Sequence, residues 1–263
     1  MTDAPDTPRH PAADVALDRI IAHRGASRAA PENTLAAFRA AIAAGVRTVE
    51  FDVSLLGDGT PVLHHDAALD RCTDGRGPLS AIGAADLAGI DAGAWFSPNF
   101  AGERIPQLGE ALDLLGGAGL TANLEMKPHG ADPEPLVQAV LAAMDARPGM
   151  AERIVVSSFD AGALAALRAR APAQALAMLY KEPPADWRER LSALGIGALH
   201  MRHTALTPEH LAEARAAGIA LRVFTVNDPA GLVPLRLPGL DGVITDVPRR
   251  FLDDPGWAAW AGR

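Results

Sequence analysis

Four short stretches hold residue types that move protons, bind cations and grip anions: His23-Arg24-Gly25, Glu50-Phe51-Asp52, His65-Asp66 and Glu125-Met126-Lys127. Glu50 and Asp52 lie two residues apart in an apolar run, so on a strand both carboxylates point to one side. Glu125 ends another apolar run and adds a third hard oxygen ligand, a set suited to Mg²⁺ or Ca²⁺ rather than to a soft metal. A solvated strand face would also account for paired acids. The apolar flanks Val49, Phe51 and Val53 argue against it, and clustered carboxylates repel one another unless a cation joins them. His23 and His65 are the natural proton-transfer pair, because imidazole titrates near neutrality. A lone strand histidine is more often a packed residue or a metal ligand; Arg24 beside one and Asp66 beside the other favour catalysis. Arg24 is a permanent cation suited to phosphate. Lys127 faces the same side as Glu125, where it either holds phosphate oxygens or forms a structural ion pair with that residue. His64 should face away from His65. His10, His129, His200, His203 and His210 read as surface or packing residues, with His200 and Arg202 the first to check because they end a strand.

Positioning these groups requires strands that stop at one end of a barrel or sheet. The run Leu17 to Ala22 reads as a buried strand, Gly25 permits a sharp turn, and Leu35, Phe38, Ile42 and Val46 recur at helical spacing. Asn33 or Thr34 is the N-cap candidate, and Pro31 keeps the residue before it extended. Thr48 to Leu55 is a second strand, and Gly57-Asp58-Gly59 turns the chain into a companion strand, Pro61 to His64. Residues 67–106 fit no strand–helix period. From residue 107 helices and strands alternate, with Gly116-Gly117 as a helix stop and a short helix expected from Asp228 to Leu235. Strands centred near 20, 50, 123, 155, 177, 199, 222 and 244 make eight. Eight short apolar strands, each followed by a helix, favour an α/β fold of the (β/α)8 TIM barrel type. An open dinucleotide-binding sheet lacks its fingerprint, since no G-x-G-x-x-G follows the first strand.

These motifs resemble, in order, those of the glycerophosphodiester phosphodiesterase family: His23-Arg24-Gly25, Pro31-Glu32-Asn33-Thr34, Glu50-x-Asp52, His65-Asp66 and a strand ending in Glu125-x-Lys127. The resemblance runs from about residue 20 to residue 250 and takes in Val226-Asn227 and Asp241 to Pro248. It implies a TIM barrel whose residues 67–106 form an insertion after the second strand. It also implies one divalent cation, Mg²⁺ or Ca²⁺, on Glu50, Asp52 and Glu125, with His23 and His65 catalytic and the role on His65 rather than His64. Arg24, Lys127 and Phe224 would contact substrate; many members carry Trp where this chain has Phe224, so the preferred alcohol is open. The implied reaction is metal-dependent hydrolysis of a glycerophosphodiester to an alcohol and sn-glycerol 3-phosphate. A lysophospholipase D-like or other lipid phosphodiesterase using the same site is the alternative, and a non-catalytic barrel the third reading.

Composition limits the remaining choices. At 263 residues, one domain spanning 18–254 is expected, between a flexible tail at 1–17 and a short tail at 255–263. Hydrophobic residues make up 49% but aromatics only 5%, so the core must be mostly aliphatic. A net charge of −8 disfavours nucleic-acid partners and leaves room for a small phosphodiester, whose field one Arg, one Lys and a cation can set locally. The single cysteine, Cys72, needs no oxidising compartment. No stretch reads as a secretory signal or a membrane span, so a cytoplasmic protein without stable membrane association is expected. Oligomeric state leaves no mark in the sequence.

Overall fold

The computed structural model describes residues 15–231 and 239–262. Eight parallel strands close into a barrel: β1 (Ile20–His23), β2 (Thr48–Leu55), β4 (Thr121–Met126), β5 (Ile154–Ser158), β6 (Leu176–Tyr180), β7 (Ala198–Arg202), β8 (Ala220–Phe224) and β9 (Gly242–Thr245). Closure is at β1, where Ile21 pairs with Thr48 on one side and Ile244 on the other. The remaining strand, β3 (Pro61–Leu63), folds back antiparallel on β2 outside the ring. Helices α1 (Leu35–Ala43), α2 (Leu108–Gly117), α3 (Glu134–Asp145), α4 (Ala161–Arg170), α5 (Trp187–Ala193) and α6 (Pro208–Ala216) cover the outside, followed by α7 (Pro248–Leu252) and α8 (Pro255–Trp260). This is a (β/α)8 barrel.

The sequence explains both layers. Val49, Phe51 and Val53 of β2 join a large buried cluster with Phe38, Leu112, Val140, Trp187 and Phe251 on the helices. The alternate residues Thr48, Glu50, Asp52 and Ser54 are therefore left to the barrel interior, the period-two rule applied to a fully buried strand. Helix α1 begins where the Thr34 hydroxyl accepts from Ala37 N at 3.2 Å, a cap worth about 1 kcal/mol. Residues Leu69, Leu79, Leu87, Ile90, Ala92 and Ile105 form a small core with Leu56 and Val62, so the inserted segment is anchored on the β2–β3 hairpin.

Four expectations need correction or restriction. Residues 15–17 are not part of a loose tail: Val15 and Leu17 pack with Ile21, Val155, Ala177 and Ile244, the apolar interior of the ring. The segment after residue 254 is not a tail either. Asp254 caps α8 by accepting from Gly256 and Trp257, and Trp257 is fully buried against Phe251, ring centroids 5.0 Å apart. Burial of one such ring is worth roughly 3 kcal/mol, which holds the final helix on the barrel. Gly116 and Gly117 do not stop α2; they form its last turn, and the chain reverses at Gly119, whose φ is +69°. Of the flexible tail expected at 1–17, residues 1–14 lie outside the described residues, as do residues 232–235 of the expected 228–235 helix.

Candidate active site

At the end of β1 the chain turns through Arg24 (φ +55°) and Gly25 (φ +81°). A Cβ on Gly25 would meet Ala37 at 2.7 Å, so both space and backbone angle require glycine there. The turn brings Arg24 N to 3.0 Å from Glu50 Oε2 and sets the chain for Asn33, whose side-chain amide donates to Asp52 Oδ2 at 2.8 Å. Strand register places Asp52 beside Glu125 on β4. Glu50, Asp52 and Glu125 are 2%, 1% and 6% exposed, and one oxygen from each lies within 4.8 Å of the others. Glu50 Oε1 is buried without a hydrogen-bond partner. Three buried carboxylates, one with an orphaned oxygen, fit a hard divalent cation.

Two cations balance part of this charge. Arg24 Nε lies 3.1 Å from Asp52 Oδ2, and Lys127 Nζ lies 3.1 Å from Asp52 Oδ1 while also contacting Glu125. Burial works against ionisation of Asp52, but Arg24, Lys127 and His65 hold its carboxyl well below the usual range. Glu125 goes the other way, pushed up to about 7 by burial and by Asp52, despite Lys127. Burial, Asp52 and Glu125 likewise raise Glu50 well above the usual carboxylate. The cluster therefore carries fewer negative charges than its three carboxyls suggest until a cation arrives.

Each expected histidine is backed by a carboxylate. His23 Nδ1 is 2.6 Å from Asp246 Oδ1, leaving Nε2 on the carboxylate side, 3.9 Å from Glu50 Oε2. His65 Nδ1 is 2.5 Å from Asp66 Oδ1. Burial lowers His65, with Asp52 the largest opposing influence. His64 is buried separately, its Nε2 on the carbonyl of Ala68 at 2.9 Å. A cavity of about 210 Å³ is lined by His23, Glu50, His65 and Glu125 together with Phe159, Lys181 and Phe224.

The profile of the "Glycerophosphoryl diester phosphodiesterase family" matches residues 23–250. The chain belongs to that family. A glycerophosphodiester phosphodiesterase of Caldanaerobacter subterraneus is 33% identical over 89% of this chain and 96% of its own length. The structure of an Oleispira antarctica phosphodiesterase in complex with the product sn-glycerol 3-phosphate superposes with a TM-score of 0.85, at 36% identity over 89% of this chain and 95% of that one. The Thermotoga maritima glycerophosphodiester phosphodiesterase structure gives 0.72 at 28% identity, covering 89% and 96%.

In this family member the barrel brings all eight expected site residues to one end: His23, Arg24, Glu50, His65, Glu125, Lys127 and Phe224 line the cavity, and Asp52 lies among them. Sequence reasoning missed the residues that hold them. Asp246, just past β9, also accepts from Ser27 Oγ at 3.0 Å and Asn227 Nδ2 at 2.6 Å, contacts that with His23 keep its carboxyl at about 2 against burial. The match at Asp241 to Pro248 marked the stretch without revealing this use. Arg71 carried no signal, because it sits in the irregular segment. Its guanidinium grips both oxygens of Glu32, at 2.8 and 2.9 Å, and donates from Nε to Asp66 Oδ2 at 2.6 Å. Glu32 in turn binds Arg24 at 2.7 Å. One arginine thus joins the support of His65 to that of Arg24. His200, expected at the surface or in packing, is fully buried beside Arg222, 3.5 Å from its Nη1. His129 contacts Ser54 Oγ at 2.9 Å.

The Arg71 geometry has a measurable consequence. Arg71→Met should lower kcat/KM by about 10- to 100-fold, the usual worth of a supporting contact behind a site residue. Arg71→Lys should recover little of it, since one ammonium cannot hold Glu32 and Asp66 in the guanidinium's two directions. Full activity in Arg71→Lys would show that charge alone suffices.

Proposed function

We propose that this chain hydrolyses glycerophosphodiesters to an alcohol and sn-glycerol 3-phosphate, using a divalent cation of the Mg²⁺ or Ca²⁺ type on Glu50, Asp52 and Glu125. The observation that carries this reading is the convergence, at one cavity, of two carboxylate-backed imidazoles with three buried carboxylates, one of which, Glu50, keeps an unpartnered oxygen. The Oleispira relative with its bound product supports the substrate class. A cation bound there would supply Lewis-acid stabilisation of the phosphoryl charge.

The chain's own groups do the rest. Arg24 and Lys127 hold non-bridging phosphate oxygens, the task for which a fixed cation at a strand end is suited. Asp246 keeps the proton of His23 on Nδ1, so Nε2 is the free base that takes a proton from the attacking hydroxyl, whether of water or of the substrate's glycerol. His65, oriented by Asp66, donates a proton to the departing alkoxide. Phe224 forms part of the wall against the organic arm, with Phe159 edge-on to it at 5.8 Å. The lipid-diester alternative needs an apolar rim; the exposed large hydrophobic residues among those described are Trp95 and Phe159, each 42% exposed.

The test is an assay of the purified protein on glycerophosphocholine, glycerophosphoethanolamine and glycerophosphoglycerol, with and without EDTA. Release of sn-glycerol 3-phosphate that EDTA abolishes and Mg²⁺ or Ca²⁺ restores is expected. Hydrolysis indifferent to EDTA would remove the metal from the account.

A further inference from the structure

The cavity holds a cation that the phosphate-handling machinery does not use. Lys181 follows β6, and alternation from Leu179 directs both side chains to the same side; both line the cavity. The other cavity cations are already engaged: Arg24 with Glu32 and Asp52, Lys127 with Asp52 and Glu125. Neighbouring Glu182 pairs instead with Arg202, at 3.8 Å. Lys181 has no carboxylate partner among the described residues, and it is exposed to whatever enters.

Phe159 and Phe224 line the same cavity, edge to face, and Lys127 Nζ lies 5.6 Å from the Phe159 ring centre. The same cavity thus holds a phosphate-facing cation, two aromatic rings in contact and a second cation. An alkyl ester arm suits the rings, and a negative group at the end of that arm suits Lys181. We infer that Lys181 selects glycerophosphodiesters whose alcohol carries an anionic group, a carboxylate or a second phosphate. The inference rests on the phosphodiesterase reading of the same cavity. It concerns the leaving alcohol and leaves the reacting phosphate to Arg24 and Lys127.

Three synthetic glycerophosphate esters separate the possibilities: those of 3-hydroxypropionate, 1,3-propanediol and choline, with anionic, neutral and cationic arms. The wild type should favour the anionic over the neutral ester, mainly through KM. In Lys181→Ala that ratio of kcat/KM should fall by about 10- to 100-fold, the worth of one charge-assisted hydrogen bond. In Lys181→Glu the order should reverse in favour of the choline ester. Melting curves of the variants confirm folding, which an exposed side chain does not endanger. Equal loss on all three esters would mean that Lys181 serves the phosphate or the glycerol and would overturn the inference. An unchanged ratio would overturn it too, while leaving the phosphodiesterase reading intact. Wild-type protein that cleaves none of the three would overturn both.

Discussion

His65→Ala should lose about 10²- to 10⁴-fold in turnover on glycerophosphoethanolamine, the usual worth of a positioned acid, and recover most of it on a p-nitrophenyl ester of glycerol phosphate. The nitrophenolate leaves without a proton, so a missing acid costs little there. His23→Ala should be impaired on both substrates, because the attacking hydroxyl still lacks its base. Rescue of His23→Ala instead would mean that the two roles are exchanged. His64→Ala should show neither pattern, since His64 bonds to the carbonyl of Ala68 and does not line the cavity.

The pH profile adds a second check on His65. Burial chiefly favours its neutral form in the free protein, with Asp52 opposing. An acid must be protonated, so the kcat/KM profile, which reports the free protein, should fall on its alkaline side below the ordinary imidazole value. A bound phosphate brings negative charge next to the ring and favours imidazolium. The corresponding limb of the kcat profile should therefore lie at higher pH. Coincident limbs would indicate that His65 does not donate the proton.

The barrel was legible because its strands are short and apolar and, from residue 107 on, alternate regularly with helices, and a period of two leaves little choice about where Glu50 and Asp52 point. The reactive groups were legible because each stands in or just after a strand, where one residue of offset decides between cavity and packing. That is why His65 could be separated from His64. What could not be read were partners brought in from far along the chain. Asp246 meets His23 across 223 residues, and Arg71 meets Glu32 across 39. Neither contact leaves a periodicity, and Arg71 lies where no regular element constrains expectation. The terminal segments were misread for a different reason. Val15 and Trp257 stand in short terminal stretches that carry no period, and a composition argument averages them away.

Glu50→Gln and Glu125→Gln should each weaken Mg²⁺ or Ca²⁺ binding to the metal-free protein by at least about 100-fold, more than the 10- to 100-fold typical of outer partners. Calorimetric titration measures it directly, and unchanged binding in either variant would remove that residue from the ligand set. Asp52→Asn should behave differently. It removes the counter-ion shared by Arg24 and Lys127, and stranding buried charge costs about 3–5 kcal/mol, so this variant should also melt at lower temperature. The pH dependence has a definite sign. Glu125 is held at about 7 and Glu50 is also raised, both chiefly by burial, so in the metal-free protein Glu125 is mostly protonated at pH 6. A carboxyl whose folded value is raised contributes stability at low pH and loses it as pH climbs through that value. The melting temperature of metal-free protein should therefore fall between pH 6 and pH 8. Asp52, held low, is ionised throughout this window and does not offset the change. Cation binding must displace the proton on Glu125, so apparent affinity should rise with pH below about 7, by up to about tenfold per unit for that proton. Added Mg²⁺ or Ca²⁺ should accordingly restore more melting temperature at pH 8 than at pH 6. Stabilisation by the cation that is independent of pH would show that the three carboxyls are already ionised, and that Lys127 and Arg24 neutralise them more fully than their geometry suggests.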